Sequence, residues 1–360
     1  MNIDRRGILA GATGLGIAAM AQGAGAQMAP SSVKVIDVHT HNFTPRWVEM
    51  LRRNPDADTR LLPTSPAETI EYRGAPIVRL TPDMTDMDMR IAAMDRAGVD
   101  MAIVSLTAPN VFWSNRETAI ATARTVNDDF AAAARKYPGR VLWMASLPWQ
   151  YPDAAIEELA RVRGMGASAL CLLTNMSGML PDNAHFDPVW KAVEASGLPA
   201  FIHPTVPMVD VKQWGVESFG LANTIGFTSD TTLAFARFML SGFMDRFEGL
   251  KLIACHGGGS LPYLIARMDK MWDSLASRRQ SSKPPSAYLR RFWYDAIVYD
   301  QPTLRFLVEQ VGEDRVLYGS DYPFSIQDMV GVKSRVSALP AAQRDKILGL
   351  NAQSLFKIAG

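Results

Sequence analysis

The chain has 360 residues, 48% of them hydrophobic, and its 37 basic and 36 acidic side chains leave a formal charge of +1. That is ample for a well-buried core and within the span of one α/β barrel with insertions. The near-neutral balance, without long Lys/Arg runs, argues against nucleic acid as the main partner.

The N-terminus reads as a targeting segment rather than as fold. Arg5-Arg6 precede a Gly- and Ala-rich apolar run from Ile8 to Ala21, and Ala24-Gly25-Ala26 closes it as an A-x-A cleavage site. The run is short and weakly hydrophobic for a membrane span. Paired arginines before such a run resemble a twin-arginine export signal, with an ordinary secretory signal as the alternative. Residues 1–26 are expected to be removed, leaving a mature chain over 27–360 that is periplasmic or otherwise exported and has no membrane span.

From residue 33 onward, strand-like and helix-like segments alternate. Apolar or β-branched runs bounded by turn residues predict eight strands: Val33–His39, Val99–Thr107, Val141–Pro148, Ala167–Thr174, Pro199–Pro204, Lys251–Gly257, Phe292–Val298 and Val316–Pro323. Amphipathic patterns between them predict helices over 87–97, 117–136, 154–163, 188–196, 231–247 and 302–311. Asp153 and Asp187 read as N-caps, and Gly98, Gly197 and Gly312 as stops. Eight such units predict an α/β fold, a (β/α)8 TIM barrel. Residues 42–86, too long for a plain loop after strand one, read as a small insertion over the mouth. Cys171 and Cys255 fall inside predicted strands and read as buried free thiols.

The chemistry gathers at the strand ends, where a β/α barrel places its site. In Ile36-Asp37-Val38-His39-Thr40-His41, regular alternation puts Asp37, His39 and His41 on one face and Ile36, Val38 and Thr40 on the other. His203, His256 and Asp321 end strands five, six and eight, so four of the five histidines fall at the mouth. His39, His41, His203 and Asp321 make an N₃O donor set with room for water, the open arrangement of a catalytic zinc site. His256, followed by three glycines, suits an acid/base role. His185 precedes a helix instead and reads as an exposed loop residue.

Asp37-x-His39-x-His41, Phe201-Ile202-His203-Pro204, Cys255-His256-Gly257-Gly258-Gly259 and Gly319-Ser320-Asp321-Tyr322-Pro323 together resemble the amidohydrolase superfamily. Arg90-Ile91-x-x-Met94-Asp95, Thr231-Thr232 and Asp295-Ala296 narrow the likeness to the branch typified by aminocarboxymuconate-semialdehyde decarboxylase, over residues 33 to 358. The resemblance implies a metal-dependent, non-oxidative decarboxylase of an unsaturated or aromatic carboxylic acid. It implies one divalent metal, zinc with manganese as the alternative, on His39, His41, His203 and Asp321. His256 and Asp321 would be the catalytic residues, with His256 as acid/base. It further implies a homodimer whose arginines grip a small-molecule carboxylate substrate. Arg267 would come from the neighbouring subunit, and Arg79, ahead of Arg73, from the insertion. Thr205 stands where the branch typically has Trp, which makes Phe112 and Trp113 after strand two candidates for a replacement stacking wall. The competing reading is a hydrolase that opens a lactone or amide at the same site. A metal-holding binding protein without turnover is a third.

Overall fold

The computed structural model describes residues 33–53, 59–72, 74–206, 215 and 219–359. The segment read as an export signal, and Arg73, lie outside them. Eight parallel strands follow one another round the sheet in chain order: Ile36–His41, Met101–Ser105, Val141–Ala145, Ala169–Leu173, Ala200–His203, Leu252–Ala254, Trp293–Asp295 and Val316–Leu317. Strand one closes on strand eight through Val38 N–H to Tyr318 O at 3.0 Å and His41 N–H to Tyr322 O at 2.8 Å. The expected (β/α)8 barrel is the fold observed.

The strands are buried on both sides, so they read as continuous apolar runs. Ile36, Ile103, Met144, Phe201, Ile253 and Leu317 come from all round the sheet and meet in one cluster, which only the barrel interior allows. Val104, Leu172, Ile202 and Tyr318 point the other way, into the larger core shared with the helices. The ladders are shorter than predicted. Strand eight pairs with strand seven only over Val316–Leu317. Beyond it, of the barrel strands, the residues up to Pro323 bond to strand one alone, with an isolated bridge of Tyr322 to Thr40, and build the mouth. Cys171 and Cys255 are buried and free.

Three local expectations are corrected. Asp153 and Asp187 lie inside the first turns of helices Pro152–Gly164 and Asp187–Ser196, not at their caps. There they favour the helix dipole and pair with Arg116 and Arg246. The predicted 231–247 helix is two, Phe227–Leu240 and Phe243–Arg246, because Gly242 turns left-handed at φ 71° between them. Gly98 and Gly197 do end their helices in the left-handed conformation.

Residues 42–86 form a helix, Pro45–Arg53, and then a three-stranded antiparallel sheet of Thr59–Leu62, Thr69–Tyr72 and Ala75–Arg79. A short helix, Pro82–Thr85, returns the chain to the barrel. Among the described residues no helix is long and apolar enough to cross a membrane.

Candidate metal centre and substrate pocket

Strand one does not alternate regularly. Its register against strand two pairs Asp37 with Ala102 and Thr40 with Val104, leaving Val38 and His39 together opposite Ile103. This is a β-bulge, a device that re-aims side chains near functional sites. Asp37 is therefore not on the face of His39 and His41, as alternation predicted. Its carboxylate turns toward strand eight and accepts from Ser320 Oγ at 2.5 Å and Ser320 N–H at 3.1 Å. Burial pushes its pKa up to about 6, against Ser320 and the nearby Arg90. Thr40 turns outward too, and the buried Arg90 guanidinium donates to Thr40 Oγ1 and His41 O. The bulge lets both His39 and His41 enter the barrel. On strand eight, a Cβ at Gly319 would sit 2.8 Å from His39 Cβ, so the missing side chain makes room for the imidazole.

The donor atoms of His39, His41, His203 and Asp321 all lie within 4.8 Å of one another, and all four residues are buried. The Nε2 atoms of His39 and His41 are 3.0 Å apart, and Asp321 Oδ1 is 3.3 Å and 3.4 Å from them. That oxygen is buried and has no hydrogen-bond partner among the described residues. Behind the rings each Nδ1 is held: His39 by Asp295 at 2.6 Å, His41 by Ser105 Oγ at 3.0 Å, and His203 by Pro204 O at 2.7 Å. Fixing Nδ1 aims each Nε2 inward, the outer support that metal-ligating histidines normally have.

The electrostatics ask for a cation at this point. Burial opposes a charged His39, yet Asp295 and Asp321 outweigh it and push its pKa up to about 10. Burial drives His41 down to about 4 against the pull of Asp321. Burial also disfavours the Asp321 anion, but His256, His39 and His41 hold its pKa well below the carboxylate range. Three imidazoles and one carboxylate fit a single divalent ion.

His256 stands beside this set, its Nε2 3.6 Å from Asp321 Oδ2. Both residues have positive φ, 53° for His256 and 59° for Asp321. For non-glycine residues that costs on the order of 1–3 kcal/mol each and persists only where the surroundings impose it. For His256 the constraint is Asp295, which accepts from the N–H groups of His256 at 2.8 Å and Gly257 at 3.0 Å while holding His39. Gly259 lets the loop pass the following helix, since a Cβ there would lie 2.2 Å from Thr228 O.

A cavity of about 330 Å³ opens above His203, His256 and Asp321. Ile77, Val78, Met84, Phe227, Phe324 and Ile326 form its apolar wall; Arg79, Asp83, Thr107 and Asn223 are among its polar groups. The volume is at the small end for ligand pockets and suits a single-ring molecule. Arg79 is thus placed at the cavity. Its guanidinium is exposed and makes no hydrogen bond or ion pair with a described residue. Arg267, on helix Leu261–Ser274, is exposed and lies away from its own chain's cavity. Phe112 and Trp113 do not form the stacking wall. Both are buried in the core, where Trp113 Nε1 donates to Asn110 O at 2.9 Å. The cavity's aromatics are Phe227 and Phe324, from long loop and helix-start segments that carry no periodic signal. The sequence motifs assign Asp295 no role, although an acidic residue ending strand seven obeys the same strand-end rule that points to His203. His185 is exposed, as expected, but lies in the short 3-10 turn Ala184–Phe186 rather than in a loop, and is bonded to Gln150 O at 3.2 Å.

The amidohydrolase family profile matches residues 36–358, and the chain belongs to that family. It is 28% identical over 326 residues to 2-amino-3-carboxymuconate-6-semialdehyde decarboxylase of Dictyostelium discoideum, covering 88% of this chain and 90% of that one. Among solved structures it superposes on 5-carboxyvanillate decarboxylase from Sphingomonas paucimobilis with a TM-score of 0.81 at 28% identity, covering 91% and 100% of the two chains. A dihydroxybenzoic acid decarboxylase from Polaromonas sp. JS666, solved with bound manganese and the inhibitor 2-nitroresorcinol, superposes with a TM-score of 0.74 at 26% identity, covering 91% and 97%.

Proposed function

We propose that this metal-dependent decarboxylase removes CO₂ from a single-ring aromatic or similarly unsaturated carboxylic acid at the strand-end site, without an oxidant. The observation that carries this is the convergence of four donors and His256 at the floor of a ring-sized apolar cavity, in a chain whose relatives are named as decarboxylases. His39, His41, His203 and Asp321 would hold the ion, with zinc favoured by the N₃O set and manganese supported by the Polaromonas structure. When bound, a divalent ion supplies Lewis acidity to a substrate oxygen and stabilises charge that develops in the ring. The chain's own groups do the rest. The apolar wall excludes water and lays the ring over the floor. Arg79 reaches an anionic substituent at the rim. Breaking the carbon–carboxylate bond leaves its electron pair on the ring carbon, and His256 is placed to deliver the proton that takes the carboxylate's position.

The same reading makes the working unit a homodimer. Tyr263, Arg267 and Met271 recur at i, i+4 and i+8 and so share one helix face. Tyr263 and Met271 are 78% and 56% exposed, a high value for such side chains. That face suits a second copy, with Arg267 reaching into the partner's cavity. The Arg5-Arg6 segment supports export of the folded enzyme. The test is incubation of metal-loaded protein with hydroxylated and dicarboxylated benzoates and muconate-type acids, following CO₂ and product. Release of CO₂ with hydrogen in the carboxylate's place is expected. Turnover confined to lactones or amides would replace the reading with hydrolysis.

A further inference from the structure

The three histidines at the metal site are supported differently. His39 donates straight to a carboxylate, Asp295, and His41 meets a neutral hydroxyl, Ser105. His203 Nδ1 is bonded to the carbonyl of Pro204, its own neighbour, at 2.7 Å, with Thr107 Oγ1 at 3.1 Å. The other end of that same peptide unit is the Thr205 N–H, and it donates to Asp230 Oδ2 at 3.2 Å. Asp230 also accepts from Thr174 Oγ1, while Thr174 N–H donates to His203 O at 3.0 Å. Asp230 is only 8% exposed and belongs to helix Phe227–Leu240, whose first residue lines the cavity.

We infer that Asp230 is a positioning residue for His203, acting through the Pro204–Thr205 peptide. The carboxylate, the peptide and the imidazole form one chain of hydrogen bonds. An anion at the N–H end polarises the peptide and makes its carbonyl a better acceptor, because hydrogen bonds in series reinforce one another. The better acceptor fixes the proton of His203 on Nδ1 and leaves Nε2 as the metal donor. It is the carboxylate–histidine–metal support with a peptide interposed, and it anchors the end of strand five to strand four and to the cavity-lining helix. The inference rests on the metal reading above.

The test uses Co²⁺ as probe on the wild type, Asp230→Ala and Asp230→Asn, with Kd from chelator competition, the visible spectrum of the bound ion, and Tm. Asp230→Ala should raise the Kd about 10- to 100-fold, the usual cost of losing an outer support, and shift the spectrum. Asp230→Asn keeps an acceptor oxygen but not the charge, and should give a smaller rise with a Tm close to wild type. A lowered Tm with unchanged Kd and spectrum in both variants would overturn the inference. If Asp230→Ala does not fold, Asp230→Asn decides alone, and wild-type Kd and spectrum in it would overturn the inference. A wild type that fails to take up Co²⁺ would sink the metal reading itself, and this inference with it.

Discussion

At the floor of the cavity, the three histidines of the metal site have partners behind their rings. Asp295 ties His39 to the His256 loop, Ser105 holds His41, and the Pro204 carbonyl holds His203. On the side wall, Arg79 ends the last strand of the insertion's three-stranded sheet, is exposed, and has no described hydrogen-bond or ion-pair partner. The floor is assembled from the ends of the barrel strands, which the barrel core fixes. The wall comes from segments that arch over the strand ends: the insertion supplies Ile77, Val78, Arg79 and Met84, and the segments after strands five and eight supply Phe227, Phe324 and Ile326. Chemistry is therefore built on the strand ends and recognition on the connecting segments, where loops carry specificity. Changes at the floor should abolish metal binding or turnover outright. Changes at the wall should shift substrate preference while metal stays bound.

The largest effect is expected from His39→Ala/His41→Ala. It should lose the ion and about 10⁴-fold or more in turnover, because several kcal/mol of charge stabilisation go with the ion. Elemental analysis checks this, and full metal retention would break the floor's assignment. His256→Ala should keep one equivalent of metal while kcat falls about 10²–10⁴-fold, the range for a general acid or base. Wild-type kcat would remove its role, and loss of metal would make it a ligand. Arg79→Ala should leave metal content and Tm unchanged while kcat/KM for acids with a second anionic group falls about 10–100-fold, as for one charge-assisted contact. Equal losses for all acids would show that the wall does not read that group. Arg267→Ala should show a comparable loss. Mixed dimers of Arg267→Ala with His256→Ala subunits should recover about one working site if the arginine acts in trans, and none if it does not. The smallest effect on the enzyme itself is expected from Arg5→Lys/Arg6→Lys. It should block export without altering kcat, and normal export would refute the twin-arginine assignment.

The floor was legible in the sequence because strand ends are fixed by topology. Once eight apolar runs were counted, His39, His41, His203, His256 and Asp321 all fell at one end. The bulge at Val38–His39 was not legible, since it depends on the register against Ile103 and Val104 and alternation alone reads Asp37 as inward. The hub role of Asp295 was hidden for a related reason. An aspartate at a strand end is visible, but the loop conformation that brings the His256 and Gly257 N–H groups onto it is not. Phe112 and Trp113 misled because a loop aromatic beside the mouth is as easily core as wall. Here Trp113 packs edge-on to Trp47, with ring centroids 6.4 Å apart, beneath the insertion. Phe227 opens its helix four residues ahead of the start that the sequence pattern predicts at 231, and Phe324 follows strand eight in an irregular segment, so no periodicity announces either.

The most direct test of the central claim is a single experiment in D₂O. Protein loaded with one equivalent of zinc or manganese is given a panel of hydroxylated and dicarboxylated aromatic acids, and the products are examined by mass spectrometry and NMR. The account predicts CO₂ release from at least one acid, with a single deuterium at the carbon that carried the carboxylate. It also predicts that this release disappears in His256→Ala at unchanged metal content. Fully loaded protein that releases no CO₂ from any acid in the panel, yet opens a lactone or amide, would contradict it.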